Sequence, residues 1–247
     1  MGLMDLIKKK PSEEELAFQE ENRKQLANFN VTKSWGVKKV SSATQFIYDG
    51  DARQFVVVEG PDETFRERNP YIISFDQVKS VSLEIDEYWT ETNERYAPGR
   101  GYGILTQDKY NDVFWRYDFY LTIDTTHPYA GTIRYKMNAK TTITKVPNRN
   151  VIFFRKGFEL GGTYESDQLK GLIEKMEQLL VDEAKAIHGE KMFDTITQQR
   201  PDYILERLAQ DAKEDMYLKR IDNMTSHVKR AERIARLLLN VNNNKSL

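Results

Sequence analysis

Between residues 112 and 124 the chain alternates almost without a fault. Val113, Trp115, Tyr117, Phe119, Leu121 and Ile123 fall on one side, and Phe114, Arg116, Asp118, Tyr120, Thr122 and Asp124 on the other. A period of two over so long a run is the pattern of a β-strand with one buried face, and it cannot be laid on a helix without scattering the apolar residues round the axis. It commits the centre of the chain to a sheet. The same period governs its neighbours. Val81, Leu83 and Ile85 alternate with Ser80, Ser82, Glu84 and Asp86, and Ile133, Tyr135 and Met137 alternate with Thr132, Arg134 and Lys136. Phe46-Ile47-Tyr48, then Asp49-Gly50-Asp51, then Phe55 to Val58 reads as a β-hairpin with Asp-Gly in its turn. YIISF at 71–75 and VIFF at 151–154, after Pro147-Asn148, complete roughly seven strands over 43–156, joined at hairpin scale. Such a series predicts an antiparallel barrel or sandwich.

The period then changes to 3.6. Leu169, Leu172, Ile173, Met176, Leu180, Ala184 and Ile187 form one apolar stripe that ends at His188-Gly189, a helix that must cover the end or face of the preceding sheet. After 190–200, Pro201 opens a helical tail running to about 240. In it Tyr217, Ile221, Met224, Val228, Ala231, Ala235 and Leu238 recur at spacings of four and three. Two alanines among the seven leave a coiled coil and docking on the chain's own β-domain both open. At the other end, Ser12 with Glu15 has the spacing of a capping box, so a helix is predicted over 12–28; its sparse apolar positions, Leu16, Phe18, Leu26 and Phe29, make it a surface arm. The expected organisation is an N-terminal helical arm (1–32), a β-rich domain with its capping helix (33–189) and a C-terminal helical tail (190–247).

The strand order, the acidic first hairpin, the segment YIISFDQVKSVSLEIDE with Phe75, Asp76 and Val78 at a strand end, and the closing helix YESDQLKGLIEKMEQLL together resemble bacterial pleckstrin-homology-like domains over about residues 43–188. The resemblance implies an α+β fold: a seven-stranded, strongly bent antiparallel sheet capped by a C-terminal helix, here with helical extensions at both ends. It also implies an adaptor or a lipid- or protein-binding module. The lipid-binding members grip inositol phosphates with basic residues at the first hairpin. This chain has Asp49 and Asp51 there, with only Arg53 nearby, and two carboxylates repel phosphate.

Reaction machinery is hard to find. The chain has no cysteine, which excludes disulfides, thiolate nucleophiles and zinc ribbons together and agrees with a reducing, cytoplasmic setting. His127, His188 and His227 lie in a turn, at a helix end and on the tail, and none has a metal-site partner at i+4. No glycine-framed serine marks a nucleophile. Glu84 with Asp86 and Asp49 with Asp51 are pairs of the kind that line solvated surfaces. The expectation is a non-enzymatic binding or scaffolding module without a cofactor; an enzyme with a cleft beside residues 88–111 is the contrary reading.

The binding residues are sought in that connection, YWTETNERYAPGRGYGILTQDKYN, a loop far longer than a compact domain needs. Trp89, Arg95, Tyr96, Arg100 and Tyr102 are the candidates, since aromatics interleaved with arginine fill protein hot spots or stack bases. Gly99, Gly101 and Gly103 do not follow a strand and open a helix, so a phosphate loop fits poorly. A plain insertion, a protein contact including self-association, and a ligand or nucleic-acid contact stay open. A protein partner or a homo-oligomer through the tail helix (203–240) is the favoured partner class. Nucleic acid is disfavoured by a net charge of −1, from 37 basic and 38 acidic residues, and the tail's basic residues are broken by Glu214, Asp215, Asp222 and Glu232. A membrane contact rests only on Met1 to Lys10, whose Leu3, Leu6 and Ile7 precede Lys8 to Lys10. A peripheral membrane protein held by that segment is the alternative reading.

Overall fold

The computed structural model describes residues 12–36, 43–92, 112–145, 157–188 and 216–239. The chain is α+β, with two antiparallel sheets. The described residues fall into two compact units, one of 12–36, 43–81, 122–139 and 238–239, the other of 82–92, 112–121, 140–145, 157–188 and 216–237.

In the first unit, helix α1 (Glu13–Ala27) starts where the Ser12 hydroxyl accepts from the Glu15 N–H at 3.1 Å, as the capping spacing predicts, and three glutamates in its first turn favour its dipole. Strands β1 (Lys33–Trp35), β2 (Thr44–Asp49), β3 (Gln54–Glu59) and β4 (Ile73–Ser74) form a sheet in the order β1-β2-β3-β4. The hairpin expected at Asp49-Gly50 joins β2 to β3, with Phe46 opposite Val57 and Tyr48 opposite Phe55. Asp49 is committed to holding that turn: its carboxylate accepts from the Ala52 N–H at 3.0 Å and from the Asn30 N–H at 2.8 Å, while Gly50 N–H donates to the Thr32 hydroxyl.

Helix α1 lies at the surface, as its sparse apolar positions predict, and it is anchored along one edge as a brace. Leu26 and the following Phe29 are fully buried in a cluster with Ile47, Val56, Val58, Phe65 and Ile72. Asn22, which reads as a surface residue, is 3 % exposed and stitches α1 to the backbone. Its amide donates to Pro70 C=O at 2.8 Å and to Asn69 Oδ1 at 3.0 Å, and its Oδ1 accepts from the Ile72 N–H at 2.9 Å. Arg66, on a 3-10 turn (Asp62–Arg68), donates to Leu26 C=O and Phe29 C=O and so closes the carbonyl end of the helix. One polar side chain and one cation offset the poor amphipathicity of α1.

A capping-box turn at Phe75–Gln77 leads into β5 (Val78–Thr92), which is followed by β6 (Asp112–Thr125), β7 (Thr132–Lys136), β8 (Thr142–Lys145) and β9 (Gly162–Glu165). The second sheet runs β7-β6-β5-β9, with β8 also paired to β6. Alternation holds as the sequence predicts: Val81, Leu83 and Ile85 on β5 and Tyr117, Phe119, Leu121 and Ile123 on β6 are all buried. Nine strands are present among the described residues, β1, β8 and β9 being additions to the expected series, and the described strands close no barrel. The stretch 151–154 lies outside the described residues, as do 1–10 and 190–215.

In the second unit, helix α2 (Leu169–His188) buries Leu169, Leu172, Met176 and Ala184. The last of these, with Leu180 and Val181, packs against Leu218 of helix α3 (Met216–Leu239). Lys229 of α3 pairs with Glu177 of α2 at 2.7 Å. Ile221, Met224, Val228, Ala231 and Ala235 are all buried, and so are Leu218, Thr225 and Ile234 beside them. The buried face is therefore broader than a heptad seam, and it is covered within one chain, with His227 of α3 lying 5.3 Å from the ring of Phe119 on β6.

Candidate functional site

Of the five candidate residues, Trp89 is described; Arg95, Tyr96, Arg100 and Tyr102 lie outside the described residues. The expected connection begins later than the sequence suggested, because Tyr88 to Thr92 continue β5. Their alternation places Trp89 on the face of Ile85 and Glu87, and Tyr88 on the opposite face. Both aromatics are solvent-exposed, Trp89 at 55 % and Tyr88 at 41 %.

The strands beneath these rings are locked on both faces, all within the second unit. On the inner face Glu87 follows the apolar row Val81, Leu83, Ile85, and its carboxylate is a hub for hydrogen bonds. Oε1 accepts from Tyr117 Oη at 3.0 Å and from the Glu159 N–H at 3.1 Å; Oε2 accepts from the N–H groups of Leu160 at 2.5 Å and Gly161 at 2.7 Å. Successive N–H groups converging on one carboxylate form an anion nest, here filled by the chain's own side chain. Tyr117 Oη also accepts from the Phe158 N–H at 3.0 Å, and the two rings stack at 5.9 Å. Glu159 sits at φ +53°, a left-handed conformation that the nest holds in place. Gly157 is required by close approach, since a Cβ there would collide with Glu87 Oε1 and the indole of Trp115. Tyr164 Oη donates to Leu160 C=O at 2.9 Å, and its pKa is raised above 10.0, first by burial and then by the charge of Glu87.

On the outer face Asp118, 6 % exposed, accepts from the Thr141 hydroxyl at 2.9 and 3.0 Å and lies 3.5 Å from Tyr88 Oη. A carboxylate on either face thus ties the ribbon to its neighbours where β5 approaches its end. Sequence reasoning flagged neither. Asp118 looks like an ordinary wet-face residue of a strand and Glu87 like the point where the apolar row of β5 simply stops, and only their distant partners distinguish them.

Among the described residues no group of three or more His, Asp or Glu is placed to hold a metal ion, and no helix is long and apolar enough to cross a membrane. The geometry here is that of a stiff two-stranded platform ending in exposed aromatics. No protein-family model, curated protein or solved structure matches this chain.

Proposed function

We propose that this chain is a non-enzymatic protein-binding module, of pleckstrin-homology-like descent, that contacts its partner through Trp89 and the segment that follows it. The observation that carries the reading is Trp89 itself: an indole 55 % exposed at the end of a strand whose preceding turns of backbone are fixed by Glu87 and Asp118. Exposed tryptophan on rigid backbone is the composition of an interface hot spot, because the ring brings a large contact area and little rotamer entropy is lost on docking. The antiparallel sheets, the Asp-Gly hairpin and the closing helix α2 support the descent. The partner class is a protein or a second copy of this chain. The apolar stripe of α3 is already buried within one chain, so an oligomer would use the β5 end in preference to it.

The test is a photo-crosslinking amino acid placed at position 89 of the full chain, exposed in host lysate, with light scattering of the purified protein beside it. The expected result is a discrete protein adduct, to another protein or to a second copy, that free Trp89 protein competes away and Trp89→Ala protein does not. A crosslinked adduct that both proteins compete equally, or no adduct together with an identical monomer mass for wild type and variant, overturns the reading.

A further inference from the structure

His127 lies just beyond the end of β6 and is 4 % exposed. Three rings enclose it: Phe18 of α1 at 5.3 Å, edge-on at 77°; Tyr71, from the segment before β4, at 5.4 Å; and Tyr129 of its own turn at 6.3 Å. Phe18 also lies 5.0 Å from Tyr129 and 6.0 Å from Tyr71, so the four rings form one cluster between α1, residues 69–72 and the turn 127–130. All belong to the first unit.

The hydrogen bonds fix the tautomer. The Tyr129 N–H donates to Nδ1 at 3.2 Å, so Nδ1 carries the lone pair and the proton of the neutral ring is on Nε2. Among the described residues Nε2 is buried and has no hydrogen-bond partner. A second proton therefore has nowhere to go: at Nδ1 it would face the N–H of Tyr129, and the charge it created would have an acceptor at neither nitrogen.

The groups facing the ring offer little relief. From the segment before β4, Tyr71 turns its hydroxyl to Glu15 Oε1 at 3.0 Å and receives Gln19 Nε2 at 3.2 Å, so the Glu15 carboxylate of α1 is engaged at the far end of that phenol. Tyr129 offers Nδ1 only its backbone N–H, and Thr125 contributes only a hydroxyl that accepts the His127 N–H at 3.0 Å. The aromatic quadrupoles attract a cation but supply neither an acceptor nor water.

We propose that His127 is the pin of an acid-sensitive clasp: its neutral ring holds α1 against the turn 127–130 and residues 69–72, and its protonation releases that face of the helix. Burial alone lowers its pKa from the ordinary 6.5. The sign follows. The released state, with a solvated ring, binds a proton at the ordinary value, so the clasp is at full strength above about pH 6.5 and weakens as pH falls from there toward the lowered value, by up to about tenfold per pH unit.

Hydrogen exchange of the full chain, corrected for intrinsic rates, tests this at about pH 7.5, 6.5 and 5.5. In the wild type, protection of the α1 amides drops by up to about fivefold over the last interval, and in His127→Phe, which keeps a ring in the cluster, it does not. Flat protection in the wild type, or an equal drop in both proteins, overturns the proposal. Should His127→Phe fail to fold, an NMR titration of the wild type decides. Protonation of the His127 ring in step with displacement of the Phe18 and Tyr129 resonances supports the clasp, and protonation that leaves those resonances unmoved overturns it.

Discussion

Asn22 ties α1 to residues 69–72 through three hydrogen bonds of its side chain. Asn22→Ala removes three hydrogen bonds at once and leaves the Ile72 N–H and the Pro70 carbonyl without the partner each now has. With about 1–3 kcal/mol for each buried group left unsatisfied, the variant is expected to lose about 2–4 kcal/mol, read as a lower urea midpoint at unchanged slope. A loss below about 0.5 kcal/mol would mean that water replaces the side chain and that the stitch is dispensable. Glu87 gives a second test with two readouts. Glu87→Gln puts an amide where backbone N–H groups converge, so the nest loses its anion and stability falls by about 1–3 kcal/mol. The same change removes the charge beside Tyr164, whose pKa then falls toward, but stays above, 10.0, because burial is the larger cause. Ultraviolet titration of tyrosinate reads this directly. An unmoved Tyr164 would separate the two groups.

The elements themselves differ in how far they could be read from the chain. Alternation at Val81, Leu83 and Ile85 and from Tyr117 to Ile123 depends on burial of one strand face, a local property, and the structure has it as read. The stripe from Leu169 to Ala184 is legible for the same reason at a different period, and the Ser12 cap because its bond spans three residues. Strand β9, Gly-Thr-Tyr-Glu, has three exposed positions out of four and exists because Ser82 to Ile85 offer it a ladder; nothing in its own sequence says so. The anchoring of α1 was hidden likewise, since Asn22 and Arg66 act across tens of residues. The candidate site was half legible: Trp89 stood out as an aromatic in a biased segment, whereas its supports, Glu87 and Asp118, become distinct only once their partners are placed. At this scale α3 carries its own pH dependence. His227, beside Phe119, is held at about 4 by burial and then by Arg230. Its folded pKa lies below the ordinary 6.5, so the stability it contributes is present above 6.5 and is lost as pH falls toward 4, about 2–3 kcal/mol in all. Urea midpoints at about pH 7.5 and 4.5 should therefore converge in His227→Phe relative to wild type; equal losses in the two proteins would clear His227 of the effect.

For the molecule as a whole, the buried His127 and the half-buried His227 lie in different units, the first and the second respectively. Acid is thus expected to loosen both, and the variants separate them: His127→Phe should protect α1 and leave the response of α3 intact, with His227→Phe doing the reverse. The two units are also not two consecutive stretches of chain, since β5 and β6 each contribute residues to both. That interlacing bears on synthesis. Residues 12–81 of the first unit leave a ribosome well before β7, whose Tyr135 hydroxyl donates to the Trp35 carbonyl at 3.0 Å and whose ring lies 6.4 Å from that of Phe46. At about 5–20 residues per second the emerging hairpin waits on the order of 4–15 s for that partner. During this interval Phe46 lacks its Tyr135 neighbour, so the nascent chain passes through a window in which a chaperone, or a neighbouring copy on the same message, can reach what the finished protein conceals.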